Sequence, residues 1–389
     1  MVGDEGGQRV PKELIASAAR TPGFREYDEI DLGPTQIRIQ TEFASPKHGT
    51  ELVGYRNEPA ASRPYDSAWG AVMPREGAGA TFPRRLGNMA VGTVSDVGRN
   101  VSRFRVGDRV FGHFPIRETQ TVDETHADAL PPGMSEETAV CLDPLVMALA
   151  MRDVAIRLGD RVAVFGLGAI GLMATQLARL DGADWVVAVD PIPARREVAR
   201  RLGADATLDP LADDGDAGLA IRRLTVSGNG SQRSPDPGGQ LLGGYIERAT
   251  QASQLGVDVA VEASGSVAAL HHAVRATRFG GTVCVLSFFG GGAPELRLGE
   301  EFHINRLTLV SARAESLPLR DHPAWDLARL VDVSLRWLAN GRVRTEGIVT
   351  PVVPFADAVD AYREIDEHPE RSIKLGIDFP RSCDAGLKG

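Results

Sequence analysis

Apolar residues in the middle of the chain follow two patterns, continuous runs typical of buried strands and a three-to-four spacing typical of helices. Residues 161–165 form an apolar run, and after a glycine-rich turn apolar residues return at helical spacing, at Ile170, Met173, Leu177 and Leu180. A second apolar run occupies 185–190. Strands that alternate with helices in this way predict a parallel sheet built from β–α–β units.

The alternation continues toward the carboxyl terminus. We expect strands at 206–208, 257–261, 281–287 and 307–311, and helices at 193–202, 267–276 and 325–339. Between them, residues 212–240 are rich in Asp, Gly, Ser and Pro, a composition that cannot bury enough surface to order itself. This segment is therefore predicted to be a mobile surface insertion.

The first third of the chain has a different pattern, with short strands in which apolar and polar residues alternate. Residues 36–40 and the segment 92–110 show this alternation, and a glycine turn divides the second of them. The segment 135–158 has helical spacing and a serine N-cap, and Pro144 is expected to break it into two helices. The pattern predicts a compact barrel-like unit ahead of the parallel sheet.

The turn after the first buried strand matches the G-x-G-x-x-G fingerprint of dinucleotide-binding folds. The first glycine permits a sharp turn, the second lets the backbone approach a pyrophosphate, and the third lets the helix pack closely on the strand. The phosphates are expected on the N–H groups at the start of the helix. The predicted phosphate-binding residues are Gly166, Gly168, Ala169, Ile170 and Gly171.

Asp190 ends the second strand, 24 residues after Gly166. A carboxylate at this position accepts hydrogen bonds from both hydroxyls of an adenosine ribose and repels a 2′-phosphate, which favours NAD over NADP as the cofactor. Arg195 follows closely and could instead pair with a phosphate. The alternative of NADP therefore stays open at this point.

Composition limits the classes of function. A chain of 389 residues is long enough for two domains, and its net charge of −9 offers no electrostatic basis for binding nucleic acid or an anionic membrane. The polar, acidic start of the chain is unlike a secretory signal, and the longest apolar stretch is too broken by glycine to span a membrane. Three cysteines without metal-type spacing or a disulfide framework indicate a reducing cytoplasm.

The segment 92–110 carries a more specific pattern. Its sequence GTVSDVGRNVSRFRVGDRV resembles the G-x-V-x-x-V-G-x-x-V-x-x-F-x-x-G-D-x-V signature of the medium-chain dehydrogenases/reductases, the zinc alcohol dehydrogenase superfamily. It precedes the nucleotide-binding unit by the spacing that this family shows, and the likeness covers nearly the whole chain. The resemblance implies an α/β protein with a GroES-like β-barrel domain and a Rossmann domain built on a doubly wound parallel sheet.

The resemblance also implies domain boundaries and contacts. Residues 1–150 and 312–389 would form the GroES-like domain and residues 151–311 the NAD(P)-binding domain, with the active site in the cleft between them. In this family the loops after two strands of the sheet flank the nicotinamide, and the corresponding residues here are Ala263, Ser264, Leu286 and Ser287. The last strand of the sheet commonly pairs two subunits, so a homodimer is expected.

The zinc ligands of the family do not carry over to this chain. The family's Cys-x-Thr/Ser-Asp element aligns with residues 48–51, His-Gly-Thr-Glu, and its Gly-His-Glu element aligns with residues 87–89, Gly-Asn-Met. A third ligand falls at Asp143, with Cys141 nearby if the alignment slips by two residues. Because a catalytic zinc needs about three nitrogen, sulfur or oxygen ligands, the sequence predicts no metal.

Without a metal, side chains must exchange the proton of the substrate alcohol. We expect His48 to act as general acid and base, held by Asp143, because a histidine titrates near neutral pH. Thr50 stands at the family's proton-relay hydroxyl and is expected to hydrogen-bond the substrate oxygen. In the alternative, His48 is a loop residue hydrogen-bonded to backbone. Tyr55 is a second candidate proton donor.

These observations predict a zinc-independent, NAD(H)-dependent alcohol dehydrogenase or ketone reductase. Its small-molecule substrate is expected to be a secondary alcohol of a sugar, cyclitol or specialised metabolite, since Asp143-Pro-Leu and Asp190 are typical of polyol-type relatives. Two alternatives remain at this stage. One is an enone or quinone reductase, which only has to stabilise an enolate oxygen with hydrogen-bond donors. The other is a catalytically silent NAD-binding protein.

Overall fold

The computed structural model describes residues 10–58, 65–73, 80–212, 215–228 and 254–380. The chain divides into two compact units. The first contains the described residues up to Cys141 and those from Val349 onward, and the second contains those from Leu142 to Ile348.

Short strands dominate the first unit, and strands and helices alternate in the second. The strands are β1 (Lys12–Ala18), β2 (Thr21–Glu26), β3 (Gln36–Ser45), β4 (Tyr65–Asp66), β5 (Ala71–Val72), β6 (Arg84–Arg85), β7 (Met89–Val97), β8 (Arg109–Gly112), β9 (Thr119–Asp123), β10 (Asp128–Ala129), β11 (Arg161–Phe165), β12 (Trp185–Val189), β13 (Ala206–Leu208), β14 (Val257–Glu262), β15 (Thr277–Val285), β16 (Thr308–Ser311), β17 (Val349–Pro354) and β18 (Lys374–Asp378). The helices are α1 (Thr50–Tyr55), α2 (Glu136–Ala139), α3 (Leu142–Leu149), α4 (Ala169–Asp181), α5 (Pro193–Arg201), α6 (Ala217–Gly228), α7 (Val267–Ala276), α8 (Leu327–Ala339) and α9 (Ala358–Glu367).

Strand β3 organises the first unit. It pairs antiparallel with β7, β9 and β18, and the sheet order is β10-β8-β7-β3-β18-β17. Ile37 and Ile39 of β3 are buried while the residues between them are partly exposed, as expected for a strand with one face on a core. Helix α9 contributes Tyr362 to this core, where its ring packs edge-on against Tyr55 of α1.

The second unit is built on a six-stranded sheet in the order β13-β12-β11-β14-β15-β16. Every neighbouring pair runs parallel, and Val162 of β11 lies opposite Val186 of β12 and Val259 of β14. Counted from β11, this is the 3-2-1-4-5-6 order of a doubly wound dinucleotide-binding fold, with the topological switch between β11 and β14. The fold class predicted from the sequence is confirmed.

Helix boundaries near Pro144 differ from the sequence prediction. The break falls before α3, between Ala139 and Leu142, and Pro144 lies inside the first turn of α3. Proline is tolerated there because the first N–H groups of a helix have no partner within the helix.

The expected insertion contains a helix. Residues 217–228 form α6, with Ala217, Ile221 and Thr225 buried at intervals of four residues, and the helix packs against α7. The many Asp, Gly, Ser and Pro residues of the segment made its helical spacing of apolar residues hard to recognise. The prediction that the segment lacks order was therefore wrong for residues 217–228. Residues 213–214 and 229–240 of the same segment lie outside the described residues.

The chain passes from one unit to the other at different residues from those that the sequence suggested. Helix α8, assigned above to the first domain, belongs to the second unit, where it packs against α3. Contacts therefore divide the chain after Cys141 and after Ile348, rather than after residues 150 and 311. In the described part of the chain, no helix has both the length and the apolar character that a membrane span requires.

Candidate active site

The glycine turn between β11 and α4 has the geometry that its sequence predicts. Gly166 adopts a φ of +86°, a conformation that L side chains rarely adopt, and a Cβ there would lie 2.5 Å from the Cβ of Ser264. A Cβ on Gly171 would overlap the carbonyl oxygen of Gly166. Two of the three glycines are thus fixed by close approach of the surrounding chain.

Gly168 differs from its two neighbours, because a Cβ there would meet nothing within 4 Å. Helix α4 begins at the next residue, Ala169, and no side chain caps it. The N–H groups of Ala169 and Ile170 have no partners within the helix, so an open space adjoins the positive end of the helix dipole. These residues fit the pyrophosphate of a dinucleotide.

Asp190, predicted to bind the ribose, supports the glycine turn. Its carboxylate accepts hydrogen bonds from the backbone N–H of Leu167 at 2.7 Å and from that of Ile192 at 2.9 Å, one on each oxygen. The residue is only 3% exposed. The sequence predicts that this carboxylate accepts hydrogen bonds from both ribose hydroxyls. Because each oxygen already accepts from a backbone N–H, those further bonds must use the remaining lone pairs.

Both arginines behind β12 are paired with carboxylates. Arg195 Nη1 lies 3.8 Å from Asp190 Oδ2. Arg196 Nη1 lies 3.1 Å from Asp209 Oδ2 and donates to the carbonyl oxygen of Asp190 at 2.6 Å. In the alternative in which such an arginine holds a 2′-phosphate, the phosphate would compete with a carboxylate that is already in place.

Glu262, at the end of β14, joins the two loops predicted to flank the nicotinamide. It accepts hydrogen bonds from the backbone N–H groups of Ser264 (2.7 Å) and Gly265 (3.1 Å), and from the hydroxyls of Ser264 and Ser287. Both serine hydroxyls are thus engaged inside the protein. Sequence reasoning missed Glu262, although a carboxylate ending the apolar run Val-Asp-Val-Ala-Val was a signal for it.

His48 lies in the first unit and contacts the closing strand β18. Its Nε2 accepts a hydrogen bond from the backbone N–H of Leu375 at 2.9 Å. A neutral imidazole has one acceptor nitrogen and one donor nitrogen, so in this arrangement the proton resides on Nδ1. The sequence left open whether His48 is a catalytic group or a loop residue bonded to backbone, and the structure shows that the backbone bond is present.

Thr50 and Glu51 open helix α1. Thr50 is exposed, as a residue that contacts substrate must be. Glu51 accepts hydrogen bonds from the N–H groups of Lys47 (2.9 Å) and Gly87 (2.8 Å) and from the hydroxyl of Tyr362 (2.7 Å). The carboxylate therefore fixes the loop that precedes Thr50.

Tyr55, the second candidate proton donor, lies in the core of the first unit. The residue is fully buried, and burial together with the nearby Asp366 carboxylate raises the pKa of its phenol to about 12. A phenol in this position neither reaches a substrate nor releases its proton near neutral pH. This candidate assignment is therefore not supported.

Asp143 is buried in the first turn of α3 and belongs to the second unit, whereas His48 belongs to the first. The predicted pairing of these two residues stays a prediction.

The residues at the family's zinc positions do not come together as a set of zinc ligands in the described part of the chain. His48 Nε2 accepts a hydrogen bond from a backbone N–H, and Asn88 offers an amide oxygen where an imidazole or a thiolate is usual. Cys141 is a fully buried free thiol, and burial raises its pKa to about 12. Among the described residues, no group of three or more His, Cys, Asp or Glu side chains could hold a metal ion.

A buried lysine lies close to these positions. Lys374 of β18 is 3% exposed, and its Nζ donates to the carbonyl oxygen of Pro46 at 3.1 Å. Its charge lowers the pKa of Cys141, in opposition to the larger effect of burial. Sequence reasoning noted the closing strand but missed this lysine, whose signal was a single charge inside the run Ile-Lys-Leu.

Comparisons with known proteins agree with this architecture. Residues 60–151 match the family model of the alcohol dehydrogenase GroES-like domain, and residues 169–327 match that of the zinc-binding dehydrogenases. The chain is 36% identical over 381 residues to D-guloside 3-dehydrogenase of Escherichia coli K12, an alignment that covers 95% of this chain and all of the relative.

Two solved structures share the fold. One is 2R,3R-butanediol dehydrogenase from Bacillus subtilis, with a TM-score of 0.67 and 22% identity over 95% of this chain and all of that one. The other is a dehydrogenase from Sinorhizobium meliloti 1021 bound to NADP, with a TM-score of 0.68 and 19% identity over the same shares. With two matching domain models and a full-length relative, the chain belongs to the zinc-type medium-chain dehydrogenase/reductase superfamily and is an oxidoreductase.

Proposed function

We propose that this protein oxidises a secondary hydroxyl group of a sugar or glycoside with NAD⁺, without a catalytic metal. The observation that carries the proposal is the 36% identity to D-guloside 3-dehydrogenase along the whole relative. The glycine turn supports it, since its open space at Gly168 adjoins the uncapped start of α4.

The preference for NAD over NADP rests on charge at the ribose position. Asp190 places a carboxylate where a 2′-phosphate would lie, and the two arginines that could bind such a phosphate are paired with Asp190 and Asp209. An arginine that turned to a 2′-phosphate would lose its present carboxylate partner, so it would gain little from the exchange. The repulsion between Asp190 and the phosphate would remain, and we therefore expect NAD to bind more tightly than NADP.

When bound, the nucleotide would supply the hydride acceptor for the substrate carbon. The chain must therefore hold the substrate oxygen and take its proton. We assign the first task to the exposed hydroxyl of Thr50 and the second to His48, with Asp143 holding the ring. His48 can take the proton at Nε2 only by giving up its hydrogen bond from Leu375, and such a bond is typically worth about 1 kcal/mol. A general base typically accelerates a reaction 10²–10⁴-fold, which corresponds to about 3–5 kcal/mol. The loss is therefore smaller than the gain.

The cofactor loops are proposed to act through their backbone. Ala263, Ser264, Leu286 and Ser287 follow β14 and β15 directly. The two serine hydroxyls donate to Glu262, and the N–H groups of Ala263, Ser264 and Leu286 already have acceptors inside the protein. Contacts with the nicotinamide are therefore assigned to the backbone C=O groups of these loops.

We further propose that the protein is a cytoplasmic homodimer. β16 is the last strand of the parallel sheet, so its outer edge is available for pairing with a second copy. Cys141 and Cys284 are free thiols, as is usual in a reducing compartment. Sedimentation analysis of the purified protein tests the dimer, and a monomeric mass at micromolar concentration would contradict it.

The decisive test of the reaction is a panel of secondary alcohols assayed with NAD⁺ and with NADP⁺. We expect NADH formation with D-gulosides or related glycosides and much slower turnover with NADP⁺. Reduction of an enone with NADPH, without alcohol oxidation, would identify a reductase instead. Tight NAD binding without turnover of any alcohol or enone would identify a silent binding protein.

A further inference from the structure

The strand end next to the topological switch of the sheet carries a fully buried carboxylate. Glu262 is 0% exposed and terminates β14, whose neighbours in the sheet are β11 and β15. Ligands of doubly wound sheets bind outside the carboxyl ends of the strands at this switch. Glu262 therefore lies behind the surface on which the nicotinamide is proposed to rest.

Hydrogen-bond donors surround this carboxylate. Oε1 accepts from the N–H groups of Ser264 and Gly265 and from the hydroxyl of Ser264, while Oε2 accepts from the hydroxyl of Ser287. Burial raises the pKa of Glu262 and these donors oppose the rise. Backbone N–H groups directed at a carboxylate favour its charged form, because they have no lone pair to accept a proton from the neutral acid.

The partners of the Glu262 carboxylate among the described residues are neutral hydrogen-bond donors, and no lysine, arginine or histidine is one of them. A buried charge without a counter-ion is costly, and structures that retain one commonly use it at a functional site.

The two forms of the cofactor differ in charge at the ring. The oxidised nicotinamide carries a positive charge, and the reduced ring is neutral. We propose that Glu262 is a positioning residue that anchors both nicotinamide loops and whose negative charge makes the protein bind NAD⁺ more tightly, relative to NADH, than it would without that charge. This inference rests on the proposed function, because it requires a nicotinamide on this surface.

The test compares the dissociation constants of NAD⁺ and NADH in Glu262→Gln and Ser287→Ala, measured by calorimetric and fluorescence titration. Glu262→Gln removes the charge but keeps the size of the side chain. We expect the ratio Kd(NADH)/Kd(NAD⁺) to fall about tenfold, a change on the order of a charge–charge interaction across several ångströms of protein.

Ser287→Ala is the matched control, because it removes one anchor of the loop and keeps the charge. We expect both dissociation constants to rise by the same factor, with their ratio within about twofold of the wild-type value, since that variant changes no charge. A purely structural role of Glu262 would change the two constants equally in both variants. Equal changes in Glu262→Gln would therefore overturn the inference.

Folding of each variant is checked by its melting temperature. If Glu262→Gln melts too early for titration at room temperature, the titrations of all variants are repeated well below its melting temperature, and an unchanged ratio in Glu262→Gln there would contradict the inference. Wild-type protein that binds neither nucleotide would refute the proposed function. Wild-type protein that binds and turns over, together with an unchanged ratio in Glu262→Gln, would refute this inference alone.

Discussion

The cofactor site of the second unit and the candidate catalytic site of the first unit both begin where a strand ends, but different interactions fix them. At the cofactor site the backbone determines the residues, since Gly166 and Gly171 have no room for a Cβ. At the catalytic site, hydrogen bonds to distant partners hold the side chains in position. His48 accepts from the N–H of Leu375, and Glu51 accepts from the N–H of Gly87 and the hydroxyl of Tyr362. A site fixed by backbone sterics is recognisable from a local motif, whereas a site fixed by side-chain partners requires the fold.

The largest effect is expected at Gly171 in the glycine turn, where Gly168 provides the comparison. In Gly171→Ala the new methyl group overlaps the carbonyl oxygen of Gly166, which should destabilise the protein by about 3 kcal/mol.

In Gly168→Ala the methyl group meets only open space, so the melting temperature should stay unchanged. It would nevertheless occupy the phosphate position and weaken NADH binding at least about tenfold, or by about 1.4 kcal/mol. Wild-type affinity in Gly168→Ala would contradict the phosphate assignment.

The next effect concerns His48, where two substitutions separate chemistry from anchoring. His48→Ala removes both the proton acceptor and the partner of Leu375, whereas the amide oxygen of His48→Gln can still accept that backbone N–H. If His48 is the general base, kcat should fall about 100-fold in both variants. Only His48→Ala should also melt earlier.

A wild-type kcat in His48→Gln would leave His48 with the anchoring role alone. The first unit would then contain a histidine that resembles a catalytic group but has only a structural role, and another side chain would have to take the proton.

A smaller effect is expected from Asp190→Ser, which removes the carboxylate from the ribose position. The preference for NAD⁺ over NADP⁺, measured as a ratio of kcat/KM values, should fall about tenfold, since a repulsive charge near the 2′-phosphate is lost. Stability should fall by about 1–3 kcal/mol because the N–H groups of Leu167 and Ile192 lose their acceptor.

Asp209→Asn is the control for Asp190→Ser. It frees Arg196 from its ion pair and leaves the ribose carboxylate in place, so the preference for NAD⁺ should change less than in Asp190→Ser. If both variants shift the preference equally, release of an arginine rather than loss of the carboxylate determines which nucleotide binds.

Sequence patterns predicted the parallel sheet and the glycine turn at the level of single residues, because both depend on local periodicity and local sterics. They did not predict the partners of His48 or Asp190. Leu375 lies 327 residues after His48, and no local pattern reports such a contact. Glu262 and Lys374 were missed for a related reason, since a single charge in an apolar run gains meaning only when its burial is known. Helix α6 was hidden by the composition of the segment around it.

The central claim is that side chains, and not a metal, manage the proton of the substrate. It is tested most directly by measuring alcohol oxidation with NAD⁺ in protein stripped of metal by a chelator, with zinc content determined on the same sample. The account predicts full activity with far less than one zinc per chain. Activity that disappears with the zinc and returns in proportion to zinc added back would contradict it.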